Sequence, residues 1–265
     1  MSVIMEVSIM LNVLFMAKET LSSRNALQYL CEKYSEIKVV GAVIRKEDTR
    51  LKELCIQNRI EICTEEFIKQ RYAEGTCNID YIFSFYWKRI ESSILQIPRK
   101  GSINFHPGPL PEARGSGYHI AILEEWGYWG VTAHYMDEQF DTGAIIESVK
   151  FPIDKKIINK DLVQITHEKL SVLFREITDK LLNGETLDSQ RQTQGKYFSI
   201  REIEKSKLIL PDETAEDVDR KIRAFWNPPH SGAQIEIKGK KYTVINEDIL
   251  SWIEKIQETE KDTGL

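Results

Sequence analysis

Asn104 and His106 stand two residues apart in the apolar run Ser102-Ile-Asn-Phe-His106, so in a strand both side chains leave from one face. Pro107, Gly108, Pro109 and Pro111 follow and keep the chain from continuing as sheet or helix, which leaves the amide and the imidazole at the strand's end. A second apolar run, 130–136, enters an acidic turn that carries Asp137 and then Asp141-Thr-Gly143. A neutral N–H donor, a ring that titrates near neutrality and a carboxylate are what a tetrahedral acyl-transfer intermediate needs. Each group also has a plainer use. Asp141 would serve a turn, Asn104 and His106 would cap a strand, and His119, His134, His167 and His230 read as core or capping residues.

The elements that must position these groups can be read from the spacing of apolar residues. It predicts strands at 11–16, 37–44, 80–85 and 102–105, and helices over 20–34, 49–58 and 64–73, the first capped by Ser22 or Ser23. Strand and helix alternating in this way predict an α/β fold with a doubly wound, mostly parallel sheet. Ligands of such sheets lie beyond the carboxyl ends of the strands, where turns follow Phe15, Phe83 and Ile103. A helix at 117–126, strands at 131–136 and 144–149, and an amphipathic helix over 161–182 complete a domain assigned to 1–189. The polar, aperiodic stretch 190–205 reads as a linker. Beyond it come a helix over 214–225 started by Thr214, a hairpin of 233–237 and 241–245 about Gly239, and a charged helical tail at 248–261. Residues 190–265 are therefore taken as linker plus a small C-terminal helix and β-hairpin subdomain.

Composition narrows the function. A chain of 265 residues with 42% hydrophobic and 29% charged residues buries one substantial core. Its net charge of −5 argues against a nucleic-acid partner, and Lys238, Lys240 and Lys241 read as a solvated hairpin. Cys31, Cys55, Cys63 and Cys77 lack Cys-x-x-Cys spacing and read as buried, reduced thiols without a metal. The apolar start at Val3–Met5 includes no basic residue and is followed by Glu6, and no segment reaches the length of a membrane span. The expected location is the cytoplasm.

The pattern Asn-x-His-Pro…Leu-Pro…Arg-Gly, then Gly-Val-Thr-x-His…Asp…Asp-Thr-Gly, resembles the N10-formyltetrahydrofolate-dependent formyltransferases. The segment 221–234, Lys-Ile-Arg-Ala-Phe-Trp-Asn-Pro-Pro-His-Ser-Gly-Ala-Gln, is similar to the part that follows the catalytic core in the sugar and tRNA enzymes. The resemblance implies a Rossmann-like formyltransferase domain in which Asn104, His106 and Asp141 are catalytic, with His106 and Asp141 both open as the base. It puts N10-formyltetrahydrofolate, the co-substrate, on 84–90 and 137–141, hence on Phe85, Tyr86, Trp87, Ile90, Asp137 and Phe140. Aromatic packing on the pterin and plain core anchoring both remain open for the aromatic trio. On the acceptor side it implies Pro107, Gly108, Arg114 and Gly115, with Lys18 either meeting a phosphate or lying on the surface. Trp226 with Pro228 and Pro229 stacks on a base or anchors a homodimer interface, and the interface is favoured.

Three acceptors share this core. Glycinamide ribonucleotide formyltransferase leaves 214–245 surplus, and the methionyl-tRNA enzyme calls for an appended basic barrel. The expectation is therefore a nucleotide-linked amino sugar such as a dTDP-4-amino-4,6-dideoxyhexose, made for surface polysaccharide such as lipopolysaccharide O-antigen. A formyltetrahydrofolate hydrolase and an inactive folate- or nucleotide-binding protein are the other readings.

Overall fold

The computed structural model describes residues 10–86, 88–115 and 117–263. In chain order its elements are β1 (Leu11–Ala17), α1 (Leu21–Glu32), β2 (Ile37–Ile44), α2 (Thr49–Gln57), α3 (Glu65–Ala73), β3 (Tyr81–Phe85), α4 (Ser92–Leu95) and β4 (Gly101–His106). There follow β5 (Arg114–Gly115), α5 (Tyr118–Leu123), β6 (Tyr128–Tyr135), β7 (Ile145–Pro152), α6 (Asn159–Leu182), β8 (Tyr197–Phe198), α7 (Ile200–Ser206), α8 (Ala215–Phe225), β9 (Gln234–Ile237), β10 (Lys240–Thr243) and α9 (Glu247–Thr263). The chain forms two compact units. The first takes residues up to Arg114, then Gly130–Val149 and Thr166–Gly195; the second takes Gly115–Trp129, Lys150–Ile165 and the chain from Lys196 on.

Six strands make one sheet in the order β2-β1-β3-β4-β6-β7. β1 pairs in parallel with β2 and β3, and β3 with β4, while β4 and β6 run antiparallel. The sheet is thus the mostly parallel α/β sheet that the strand and helix alternation predicts.

Period-two alternation divides the side chains of these strands between two cores. On one face Phe83, Phe85 and Phe105 gather around Phe174 of α6, at ring-centroid distances of 4.8 to 5.6 Å from it. Phe15 joins them through Phe85 at 5.9 Å. On the other face Leu14, Met16 and Ile82 pack with Ile68 of α3 and Ile94 of α4. Toward the carboxyl ends this second face turns polar. The partners Ser84, Asn104 and His134 follow Met16 in one row across β1, β3, β4 and β6.

Two local readings are corrected. The N-cap of α1 is Thr20, in extended backbone at φ −144°, and not Ser22 or Ser23. Ser23 is its reciprocal partner: the Thr20 Oγ1 accepts from the Ser23 N–H at 3.2 Å and the Ser23 hydroxyl accepts from the Thr20 N–H at 2.8 Å. The stretch 190–205 is not a bare linker either. Gln190 forms a two-bond bridge to Ile145, β8 follows, and Ser199 with Glu202 makes a capping box for α7. That Ser-x-x-Glu start is present in the sequence, but seven helical residues are too few to show a period.

In the second unit, Ile222 of α8, Ala233, Ile249 of α9 and Ile158 form a separate core. β9 and β10 pair Ile237 with Lys240, and the turn residues Lys238 and Gly239 both have positive φ, as a tight hairpin requires. Cys55 and Cys63 are buried, which pushes both thiols up to about 12, whereas Cys31 and Cys77 are only half-buried. Among the described residues no helix is long and apolar enough to cross a membrane, and no group of three or more His, Cys, Asp or Glu side chains could hold a metal ion.

Candidate active site

β4 carries Asn104 and His106 to its carboxyl end, and the antiparallel register sets Asn104 opposite His134 and His106 opposite Thr132. Thr132, fully buried, donates its hydroxyl to the Gly108 carbonyl at 2.8 Å and accepts the Leu110 N–H at 3.1 Å, so β6 fastens the proline-rich turn that ends β4. Gly108 is required by close approach: a Cβ there would come 2.8 Å from the His106 Nε2 and 3.2 Å from the Ala113 carbonyl.

Asp141 reaches the same place from the turn after β6. Its carboxylate lies 3.5 Å from the His106 Nδ1 and 3.7 Å from the His134 Nε2. The Asn104 amide nitrogen is 3.1 Å from that same His134 Nε2. The three groups predicted from sequence are therefore brought together, and His134, read as a core residue, is a fourth member. Its signal was cross-strand: alternate positions of an antiparallel neighbour share the face of Asn104.

Hydrogen-bond partners assign the ring tautomers. His134 Nδ1 must donate to the Tyr135 carbonyl at 2.7 Å, which leaves Nε2 to accept from Asn104. His106 Nε2 must donate to the Ala113 carbonyl at 2.8 Å, which leaves the Nδ1 lone pair facing Asp141. Burial pushes the His106 pKa down, against the opposing pull of Asp141, and His134 lowers it further. The ring is thus neutral near pH 7, with a basic nitrogen beside a carboxylate. Limited solvent contact persists: the side chains of His106 and Asp141 are 6% and 12% exposed.

The remaining predicted residues divide. The Phe85 ring and Ile90 are buried in the two cores, so at those positions only backbone can meet a ligand. Tyr86 is pinned by its hydroxyl to Glu65 at 2.6 Å, and Lys88 pairs with the same carboxylate at 2.8 Å, which holds the turn after β3 to the start of α3. Trp87, between them, lies outside the described residues. Asp137 accepts from the Gln139 N–H and the Thr142 hydroxyl, shaping the acidic turn, and Phe140 is 44% exposed on that turn. Lys18 directly follows β1 and is exposed; desolvation of its ammonium and then Arg45 lower its pKa. Pro107 is half-buried beside His106. Arg114 grips its own chain, through the Gln192 side chain and the Thr193 carbonyl, and Gly115 has a positive φ with Phe198 and Tyr197 where a Cβ would go. Both of these acceptor-side positions thus have partners within the chain itself. A cavity of about 260 Å³ lined by Asn12, Lys38, Arg71, Thr76 and Cys77 is at the amino end of β1 and β2 and contains none of these groups.

Several known proteins resemble this chain. Residues 61–177 match the formyl transferase family. Over 221 residues the chain is 28% identical to GDP-perosamine N-formyltransferase of Brucella melitensis, covering 81% of this chain and 85% of that protein. It is 34% identical over 153 residues to methionyl-tRNA formyltransferase of Macrococcus caseolyticus, covering 56% of this chain and 48% of that one. In fold it is similar to a 4-N formyltransferase from Francisella tularensis (TM-score 0.73, 20% identity, 89% and 97% of the two chains). It is also similar to the N-formyltransferase of Helicobacter canadensis solved with folinic acid and dTDP-3-aminofucose (TM-score 0.71, 24% identity, 90% and 89%). With its amide, imidazole and carboxylate gathered at the end of β4, the chain carries a formyl transferase domain over 61–177, and the relatives and folds it is similar to include sugar N-formyltransferases.

Proposed function

We propose that this formyltransferase acts on the primary amine of a nucleotide-linked amino sugar, with Asn104, His106 and Asp141 as its catalytic residues. The observation that carries the catalytic part is the cluster itself: a carboxylate within 3.5 to 3.7 Å of two imidazoles, one of which binds the amide. Attack of the amine on the formyl carbon forms a C–N bond and turns the carbonyl oxygen into an oxyanion. Asn104 has a second amide hydrogen to offer that oxygen, and a donor of this kind is worth about 10²–10³ in rate. The His106 Nδ1 is the assigned base, because Nε2 is committed to the Ala113 carbonyl. It takes the amine proton, Asp141 stabilises the imidazolium, and the same proton goes to the folate nitrogen as the second C–N bond breaks.

For the folate, the turn after β3 and the acidic turn at 137–141 supply backbone groups and the exposed Phe140. A pterin edge is suited to such main-chain donors and acceptors. Lys18, at the carboxyl end of β1, is suited to a phosphate. Alignment over most of a GDP-perosamine enzyme supports the sugar acceptor. A dTDP-4-amino-4,6-dideoxyhexose is the first candidate and a GDP-linked amino sugar the second, the product going to surface polysaccharide. The net charge of −5 disfavours tRNA as a partner. A homodimer formed through the second unit is part of the same proposal.

Incubation with formyl-folate and a panel of dTDP-, UDP- and GDP-amino sugars, read by mass spectrometry, tests it. Gain of one formyl group on a sugar nucleotide is the expected result. Formylation of methionyl-tRNA or glycinamide ribonucleotide instead, or formate release without a formylated amine, overturns the acceptor assignment.

A further inference from the structure

We propose that Gln192 is a positioning residue: held by Arg114, its side-chain amide keeps Asp141 in the backbone conformation that turns the carboxylate toward His106 and His134. The inference rests on the catalytic reading of Asp141 and adds a residue from a stretch with no periodicity of its own.

Asp141 has φ +55°, a region that residues with a side chain populate sparsely and keep only where their surroundings impose it. Gln192 imposes it. Its Nε2 donates to the Asp141 carbonyl at 2.9 Å and to the Gly143 carbonyl at 2.7 Å, so both amide hydrogens are spent across the turn. Its Oε1 accepts from the Arg114 Nε at 3.2 Å and Nη2 at 2.9 Å, and Arg114 in turn donates to the Thr193 carbonyl at 3.0 Å. A flipped amide would aim oxygen at two carbonyls and N–H at a guanidinium, so the orientation is determined. Two further observations explain how Gln192 arrives there. The Gln190–Ile145 bridge is antiparallel, and continuing its register brings 192 beside 143. Gly143 lies so close to the Tyr135 carbonyl that a Cβ would collide with it, which seats the turn on β6.

Gln192→Met keeps length and volume but removes both donors; Gln192→Glu keeps an acceptor for Arg114 and also removes them. Both are compared with wild type and with Asp141→Asn. The expected result is a kcat about tenfold to a hundredfold lower in both variants, the effect of a misplacement of about 1 Å, with both KM values within about twofold of wild type. Imidazole ¹⁵N NMR without substrate supplies a second readout, the charged and titratable groups facing His106 being Asp141 and His134. In Gln192→Met, as in Asp141→Asn, His106 should titrate at lower pH, because the carboxylate that opposes its desolvation has moved. Wild-type kcat and an unshifted His106 in Gln192→Met, alongside an inactive Asp141→Asn, refute the role of Gln192 and leave that of Asp141 standing. Full turnover by Asp141→Asn refutes both. Should Gln192→Met not fold, the kcat of Gln192→Glu decides.

Discussion

Asn104 and Phe105 are neighbours in β4, yet they belong to regions governed by different physics. Phe105 stacks on Phe85 at 5.1 Å and meets Phe174 edge-on at 4.8 Å, inside a core where several rings do similar work. Asn104, His106, His134 and Asp141, on the polar side, each have a named partner, and no member duplicates another. The aromatic face is redundant and contributes stability; the polar face is singular and, in the proposed function, contributes rate. The sheet connects them, since a strand anchored by Phe105 cannot let Asn104 or His106 drift.

That contrast can be broken from either side. The largest effect is expected from Asp141→Asn, which should lower kcat by about 10²–10⁴ with little change in the urea midpoint. A matching loss of stability would mean that Asp141 is structural. Phe174→Ala should do the reverse, costing about 3–5 kcal/mol in denaturant titration while the folded fraction keeps its kcat. An undiminished midpoint would remove the aromatic face from the account.

Acidification sharpens the comparison further. Burial lowers the pKa of His106, and pushes His119 and His167 down to about 4. The unfolded chain takes up protons near pH 6.5 and the native chain does not, so stability declines as pH falls from about 6.5 toward 4. Each of the two shifted to about 4 accounts for up to about 3 kcal/mol. Thermal unfolding across that range checks it, and a flat midpoint contradicts it. Because His106 is also depressed, the acid limb of kcat/KM should lie below pH 6.5. The smallest effect is expected from Glu65→Ala, which frees Tyr86 and Lys88. The KM for formyl-folate should rise a few-fold, with about 1 kcal/mol or less of stability lost; an unchanged KM would detach that turn from folate.

Legibility in the sequence followed the range of the interaction. Strands of period two and helices of ordinary length were readable because local spacing determines them, and the candidate trio of Asn104, His106 and Asp141 because Asn-x-His and Asp-Thr-Gly are short patterns. His134 looked inert because only the β4–β6 register makes it Asn104's partner. The contact of Gln192 with the acidic turn was illegible: it comes from a bridge between Ile145 and Gln190, far apart in the chain. The contact of Arg114 with Gln192 and Thr193 was equally hidden, because residue type does not reveal which groups of its own chain a side chain will meet.

The central claim is that His106 carries the proton during transfer. Single-turnover transfer from formyl-folate to the amine acceptor by His106→Ala, with folate binding measured on the same sample, tests it most directly. The account predicts a rate at least about a hundredfold below wild type with folate still bound. A rate within a few-fold of wild type would contradict it.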